Sequence, residues 1–596
     1  MKKSISKSGL IYITESFRVG SKTSSRIVEK LGKISDIMAE KGWTEEQVLD
    51  WVDQRVAQLN KQKKAESPNI TLRLNSALDL PMGQVNSHSA GYLFLQSIYS
   101  SLGIPKIMND LSDKYRIQYS LDDILSCMVF NRILHPCSKL QTWKERTSFL
   151  ENWNFSKDDV YRSLEVLGTN MDSIQENLFV NSDKAINRNT DILFYDCTNF
   201  YFEVEQADTD GMRHYGKSKE NRPNPIVQMG LFMDKDGIPV RFSLFPGNQS
   251  EQLSVNKDVI RALHKKYQIG RFVYCADAGL NSSKIKEALD SITCPCSYVV
   301  TQSIKKLDAD LKEWALDEGE KPEVWHYTKF DEERNTFVEY SILFEDIDKS
   351  PTNKTIYYRE RWTITKSGRE ERLIVTYSPK YADYLAKLRS EHLLRALKKL
   401  NSQGDRKRQT DPKRFIKATH MTKDGEEAKK TTYQIDEDKL AEESRYDGFY
   451  CVSTDLEDDI NEILRINKQR WMIEDGFRTM KTNFDARPVY CRKEESIKAH
   501  FLICYIALLI MSILRKITGP DFTQEELIET LRKMNLAKVS GNPVYIPTFS
   551  RTPLTDRLSE LFNLPLGKVC LTDKKLEQLI KRTHKKRKLP LIANQE

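Results

Sequence analysis

The sequence predicts an α/β chain of several domains. Its centre is a mixed five-stranded sheet with helices, interrupted by a β-rich insertion. A mostly helical region lies N-terminal to it and a helical region C-terminal to it. Three observations lead there. At 596 residues the chain exceeds what one hydrophobic core can hold. From Asp191 the texture changes from helical periodicity to strands of alternating or continuous apolar residues. A second strand-rich stretch, 324–378, then separates two parts that each carry acidic residues at strand ends or on a helix edge. The expected divisions are 1–66, a β-hairpin plus helix; 67–188, a helical accessory region suited to DNA binding; 189–303 and 446–520, the two parts of the core; 304–445, the β-rich insertion with a basic mobile stretch; and 521–596, helical with a basic tail.

Composition limits the function classes. Hydrophobic residues make up 39% and charged residues 30%, the balance of a globular, surface-rich protein. The net charge of +8 is unevenly spread, with Lys398–Lys430 and Lys574–Lys588 dense in Lys and Arg. Such patches suit a polyanion, although solvated loops and tails give the same composition. The ten cysteines form no CxxC pair, and Cys294 and Cys296 in TCPCS do not make a zinc site by themselves. Free thiols without a secretory leader point to a reducing cytoplasm. The longest apolar run, Phe501–Leu514, is 14 residues, short of a membrane span and suited to a buried helix, so no membrane partner is expected.

The elements follow in chain order. Residues 9–33 read as two strands around Val19-Gly20, 43–64 as a helix with a Lys-rich end, and Ser67-Pro68 as a linker. LDDILSCMVFNRILH (121–135) and residues 158–187 repeat apolar positions at three and four, the helical period. ILFYDCTNFYF is a strand whose alternation puts Ile192, Phe194, Asp196 and Thr198 on one face and Leu193, Tyr195 and Cys197 on the other. Strands 226–234 and 238–246 flank the tight turn Lys235-Asp236-Gly237. A helix at 252–268 precedes RFVYCADAGL (271–280), a buried strand ending in Asp277, then a helix at 282–291 and a strand at 297–301. Three hairpin-linked strands, a helix and a fourth strand ending in an acid match the order of a ribonuclease-H-like domain.

INKQRWMIEDGFRTMKTNF (466–484) organises the second part. Ile473, Phe477, Met480 and Phe484 recur as one buried stripe, and beside it Arg470, Glu474, Arg478 and Lys481 fall at spacings of 4, 4 and 3. Taken alone, those polar residues are a solvated face with i,i+4 ion pairs. Asp196 and Asp277 change that balance, because an acid in a buried strand is costly unless it is paired, hydrogen-bonded or bound to a metal. Two of them in neighbouring strands, with a third carboxylate on a helix, favour a metal site.

Four stretches carry a resemblance to a known family: FYDCTNFYFE around Asp196; YGKSKENRPNPIVQMGLFMDKDGIPVRFSLFPGNQSE (215–251); CADAGLNS around Asp277; and RWMIEDGFRTMK. Together they resemble DDE transposases of the IS4 type, and more narrowly the IS1634 group of insertion-sequence transposases. The last stretch is similar to the signature Tyr-x2-Arg-x3-Glu-x6-Lys, met by Arg470, Glu474 and Lys481, with Asn467 where the family has Tyr. The opening YITESFRVG…KLGK is similar to the group's N-terminus.

The resemblance implies a magnesium-dependent enzyme, with manganese able to substitute, that cuts transposon-end DNA at its terminal inverted repeats and joins the exposed 3′-OH to target DNA. Asp and Glu are hard oxygen donors suited to such ions, and two ions about 3.5–4 Å apart serve an in-line displacement. Asp196 is then expected to bridge both ions, with Asp277 and Glu474 each completing one side. Arg470, Arg478 and Lys481 become phosphate contacts, as do Lys217, Lys219 and Arg222 of the KSK-xx-RP run, for which a plain polar loop is the other reading. Trp325 and Trp362 in the insertion could stack on an unpaired base or pack within the sheet. His214 and His500 need no metal role. A homodimer on paired ends is expected. A catalytically inactive, domesticated DNA-binding protein and an endonuclease without strand transfer remain alternatives, both built on the same fold.

Overall fold

A computed structural model describes residues 1–590, apart from 20–21, 66–69, 71, 73–76, 78, 80–81, 84, 221, 256, 270–271, 291–295, 320–322, 332–333, 366, 399–411 and 422–426. The chain forms two compact units, one of residues 1–81 with 540–542 and one of the remainder.

In the first unit three strands, Lys2–Ile5, Leu10–Val19 and Lys22–Lys33, make an antiparallel sheet followed by helices Ile34–Lys41 and Glu45–Ala65. Ile11 of the sheet and Ile37, Val48 and Val52 of the helices form its small core.

The second unit is built on one ten-stranded sheet. Its strands in chain order are β1 (Ile192–Tyr201), β2 (Ile226–Asp234), β3 (Pro239–Pro246), β4 (Val273–Ala276), β5 (Ser297–Gln302), β6 (Val324–Asp331), β7 (Thr336–Leu343), β8 (Tyr357–Ile364), β9 (Glu370–Tyr377) and β10 (Phe449–Thr454). Across the sheet the order is β7-β6-β8-β9-β10-β5-β4-β1-β2-β3. The β1–β4 and β4–β5 pairs are parallel and the others antiparallel. Strands β3-β2-β1-β4-β5 thus form a mixed five-stranded set, with strand ends close to those read from periodicity.

The β-rich segment differs from the expected separate insertion. Strands β6–β9 and β10 extend the same sheet, because β10 pairs with β5 on one side and β9 on the other. Their core (Trp314, Trp325, Tyr357, Leu373, Val375, Tyr377) is a separate cluster on the extension. The basic stretch 401–432 also differs in part. Residues Ile416–Met421 and Glu427–Ile435 pair as a two-stranded hairpin, whereas 399–411 and 422–426 lie outside the described residues. In the C-terminal region, expected to be helical, strands Asn535–Lys538, Val544–Pro547 and Leu571–Thr572 join Ser87–Ser89 in a small sheet among the helices.

Alternation along β1 sorts its residues as the sequence predicts. Ile192, Phe194 and Phe200 enter one core with Ile473, Phe477, Met480 and Phe484. Leu193, Tyr195 and Cys197 enter another, shared with the helices at 257–265 and 283–290. Gly230 on β2 is needed for the second packing, since a Cβ there would lie 2.1 Å from the Tyr195 hydroxyl.

The first core centres on α6 (Glu494–Thr518), buried almost throughout its length and packed against α1 (Leu121–Leu134) and α2 (Lys157–Thr169). Gly168 of α2 permits this approach, because a Cβ there would lie 2.0 Å from the Glu495 carbonyl oxygen. Among the described residues α6 is the one helix long and apolar enough to cross a membrane, and 94% of its apolar window is buried inside the protein, as in a core helix.

Candidate functional site

The site lies where β1, β4 and the helical segment 460–483 meet. Registered pairs between β1 and β4 end at Phe194 and Cys275. Two residues further along each chain stand Asp196 and Asp277, and Asp277 keeps extended backbone (φ −81°, ψ 167°). Continuing the register therefore sets the two carboxylates opposite each other on the same face, on chains about 4.8 Å apart. Hairpin pairing with β2 and the two-faced core hold β1, so Asp196 is fixed by packing on either side of it.

The helical segment is not one continuous helix. Helix α4 (Ile460–Gln469) ends at Arg470, α5 (Trp471–Arg478) starts there, and a π turn covers Thr479–Asn483. The predicted stripe is correct: Ile473, Phe477, Met480 and Phe484 are all buried. Burying Ile473 and Phe477 against β1 contributes roughly 1.5–3 kcal/mol each, which anchors α5 across the sheet.

Charge across this junction is unevenly matched. Arg470 Nη1 pairs with Asp277 Oδ1 at 3.0 Å, with side-chain exposures of 16% and 54%. Burial opposes the Arg470 charge, but Asp277 and, more weakly, Glu474 outweigh it and hold the guanidinium above its usual value. Asp196 has no ion pair among the described residues; its Oδ1 accepts from the Cys197 amide at 2.7 Å. Burial, with a smaller push from Asp277, raises its carboxyl to about 6, against the pull of Lys219 and Arg470. Lys481 projects from the π turn to donate to Thr198 Oγ1 at 2.5 Å, two residues along β1 from Asp196 and on its face. Burial and the nearby Lys219 lower Lys481 to about 8. π turns interrupt helices most often at functional positions, and this one aims the lysine at the acidic strand.

Glu474 is exposed and borders a cleft of 560 Å³ with Tyr450, Asn467, Lys468, Arg470 and Trp471. Asn467 donates from Nδ2 to the Tyr450 hydroxyl at 3.0 Å, and its buried Oδ1 has no partner among the described residues. A phenol thus enters the cleft from β10. Two side chains from separate elements are needed for that arrangement, and nothing in the sequence links them.

The structure brings Asp196 and Asp277 together with Arg470 and Lys481. It does not gather Glu474 with them into a three-carboxylate cluster; no group of three His, Cys, Asp or Glu side chains near enough to hold a metal occurs among the described residues. The donor chemistry nonetheless fits a divalent ion at the Asp196–Asp277 pair. A half-buried carboxylate without an ion pair among the described residues stands beside a second, and both offer hard oxygen.

The remaining expected contacts divide. Lys217 and Arg222 are exposed, and Arg222 stacks on Tyr201 with its guanidinium carbon 4.3 Å from the ring centroid. Lys219 pairs with Glu251 at 3.3 Å and donates to the Cys197 carbonyl. Arg478 points away from the carboxylates and pairs with Asp475, which also receives Arg515 at 3.3 Å. This is an i,i+3 ion pair of the kind the solvated-face reading expects. Trp325 follows the sheet-packing reading. Its side chain is 0% exposed, its Nε1 donates to Asp317 and Arg359 covers its ring, so sheet packing accounts for it. Trp362 remains exposed at 41%. His214 bonds the Gly211 carbonyl, and His500 lies in the core beside Lys139. Cys294 lies outside the described residues, and Cys296 is buried.

Comparison with known proteins bears on the same elements. Residues 376–510 match the family described as "Transposase DDE domain". The match begins at the end of β9, takes in β10, α4 and α5 with Glu474, and closes within α6; it leaves Asp196 and Asp277 outside. No curated protein matches the chain. Among solved structures, the chain is similar to one titled "Cryo-EM structure of piggyBac transposase synaptic complex with hairpin DNA (SNHP)" at 8% identity, covering 84% of this chain and 78% of that one with a TM-score of 0.35. A likeness that loose carries no argument by itself. The matched domain supports a DDE transposase, and it falls on the helix that brings Glu474 to the sheet.

Proposed function

We propose that this chain is the DNA transposase of an insertion sequence, of the IS4 type and the IS1634 group. It hydrolyses a phosphodiester at each transposon end and then transfers the exposed 3′-OH into target DNA, working as a homodimer on paired inverted repeats. The observation that carries this reading is the juxtaposition of Asp196 and Asp277 on adjacent parallel strands beside a helix matched to a transposase domain.

Asp196 and Asp277 would hold divalent metal, with Glu474 joining them once DNA is bound. Magnesium or manganese there supplies the Lewis acidity that in-line displacement at phosphorus needs. Arg470, now neutralised by Asp277, becomes available to a phosphate when that carboxylate takes a metal. Lys481 holds a positive charge against β1, where a scissile strand laid across the carboxylates would pass. Burial, which raises the Asp196 carboxyl to about 6, disfavours the bare carboxylate, a charge that a bound cation would offset.

The test is to incubate purified protein with magnesium, a labelled DNA end carrying the inverted repeat that flanks its gene, and a plasmid. Joined product supports the transposase, cut but unjoined product supports an endonuclease, and bound uncut DNA supports a non-catalytic binder. The Arg470–Asp277 pair is the observation that favours the last. Normal cleavage by Asp196→Ala, Asp277→Ala or Glu474→Ala would remove that residue from the site.

A further inference from the structure

A cavity of 710 Å³ lies on the helical side of the second unit, apart from the carboxylates. Its volume falls in the range of ligand pockets. Its walls come from distant parts of the sequence: Arg132 on α1, Lys139 at the start of the next helix, the loop 485–493, and His500 on α6. Five cations line it, Arg132, Lys139, Arg487, Arg492 and Lys493, against one carboxylate, Asp485. Tyr161 and Tyr490 stand at its mouth, 49% and 70% exposed.

Arg132, buried, and Lys139, half-buried, have no counter-ion among the described residues. Arg132 is 6% exposed, and its guanidinium donates only to carbonyl oxygens, of Phe484 at 3.0 Å, Cys137 at 3.1 Å and Asp485 at 3.5 Å. Lys139 Nζ donates to His500 Nδ1 at 2.6 Å, and His500 Nε2 then donates to the Ala486 carbonyl at 3.0 Å. That arrangement requires a neutral imidazole. Burial, followed by the lysine and arginine beside it, drives the His500 pKa well below normal. Burial and then Arg132 lower Lys139 to about 8. Arg492 and Lys493 have no ion pair among the described residues, and Asp485 forms none with the pocket's cations. Buried charge of one sign is costly without compensation, and the missing component is an anion.

The pocket is connected to the carboxylate site. Arg487 on its rim pairs with Glu220, Glu220 lies 4.0 Å from Lys481, and Lys481 bonds Thr198 beside Asp196.

We propose that this pocket is a second nucleic-acid site, which takes a backbone phosphate of the bound DNA strand between Arg132, Lys139, Arg487 and Arg492, with the tyrosines flanking the adjoining nucleotide. It deepens the transposase reading and rests on it. The phosphodiester is held by guanidinium forks and a lysine, groups that recognise charge and geometry without reading sequence. Engaging Arg487 takes that cation from Glu220, so strand placement and the Lys481 environment change together.

The experiment measures affinity and salt dependence by fluorescence anisotropy, with a fluorescein-labelled random-sequence duplex and the matching single strand. The double variant Arg492→Gln/Lys493→Gln changes exposed residues and leaves the core intact. We expect about tenfold weaker binding and a log–log salt slope shallower by about one unit for each phosphate that the variant no longer neutralises. As a second readout needing no variant, DNA should protect Cys491, which lines the pocket, from alkylation by N-ethylmaleimide, and inorganic phosphate at the same phosphate concentration should protect it less. Unchanged affinity and slope in the variant, or no protection of Cys491, overturns the pocket. Equal protection by inorganic phosphate assigns a free-anion site and overturns the DNA assignment. If the wild-type protein binds neither DNA, the transposase reading fails with it. If it cuts DNA ends while the double variant binds normally, only the pocket fails.

Discussion

Two of the carboxylate–guanidinium pairs at this sheet have opposite character. At the β2–β3 turn, Arg188 Nε pairs with Asp234 Oδ2 at 2.8 Å, and both side chains are fully buried. Each side-chain nitrogen and oxygen there has a partner: Arg188 donates to Ser182 Oγ and the Ile238 carbonyl, and Asp234 Oδ1 accepts the amides of Asp236 and Ile238. At the β1–β4 ends, Arg470 holds a half-exposed Asp277 by one ion pair, while Asp196 beside it has no cation. The first arrangement is saturated and locks α3 (Met171–Ile186) to a hairpin. The second is left incomplete and solvent-reachable, as a site awaiting a ligand must be.

That contrast can be broken by substitution. Metal ligation is worth several kcal/mol in the transition state and each 1.36 kcal/mol is tenfold, so Asp277→Ala should reduce DNA-end cleavage by about 10³-fold or more. Its folding stability should change by only about 1 kcal/mol, because a pair whose carboxylate is half exposed contributes little. Asp234→Ala should do the reverse in kind, costing about 3–5 kcal/mol in urea unfolding by leaving Arg188 buried and unpaired. A large stability loss for the first and a negligible one for the second would invert the contrast.

Asp196 gives a smaller effect with a definite sign. In the unfolded chain its carboxyl titrates near 3.8 and in the fold near 6, so folding takes up a proton between those values. Stability should therefore fall as pH rises from about 4 to about 6. Asp122 is also raised to about 6, so Asp196→Asn should remove only its own share of this dependence and raise stability at neutral pH by about 1–3 kcal/mol, read from urea midpoints across that range without added metal. Of similar size and opposite sign is Gly168→Ala, whose new methyl would press on the Glu495 carbonyl; it should cost about 1–3 kcal/mol by overpacking and leave the pH profile of Asp196 unaltered.

Much of this was legible from local pattern. Strand β1, its two faces and the stripe Ile473-Phe477-Met480-Phe484 follow from periods of two and 3.6, which depend only on neighbours in sequence. What was not legible depends on partners chosen in space. Alternation in β6–β9 marks strands but does not say that they join β5 through β10 instead of forming a sheet of their own. Trp325 and Trp362 have similar sequence surroundings, yet one is core and the other exposed. The break at Arg470 and the π turn at Thr479–Asn483 carry no proline to announce them. Arg478 was grouped with Arg470 and Lys481 by spacing, and Asp475 captured it from the adjoining turn. The basic pocket joins residues 132 and 139 to 487–493, which are more than 340 positions apart in sequence.

The most direct test of the central claim is manganese binding to the DNA-free protein at neutral pH, followed by electron paramagnetic resonance. The account predicts that wild-type protein binds manganese, that Asp196→Asn and Asp277→Asn each weaken binding at least tenfold, and that Asp234→Asn, if folded, does not. Equal manganese binding by wild type and the Asp196→Asn/Asp277→Asn double variant would contradict it.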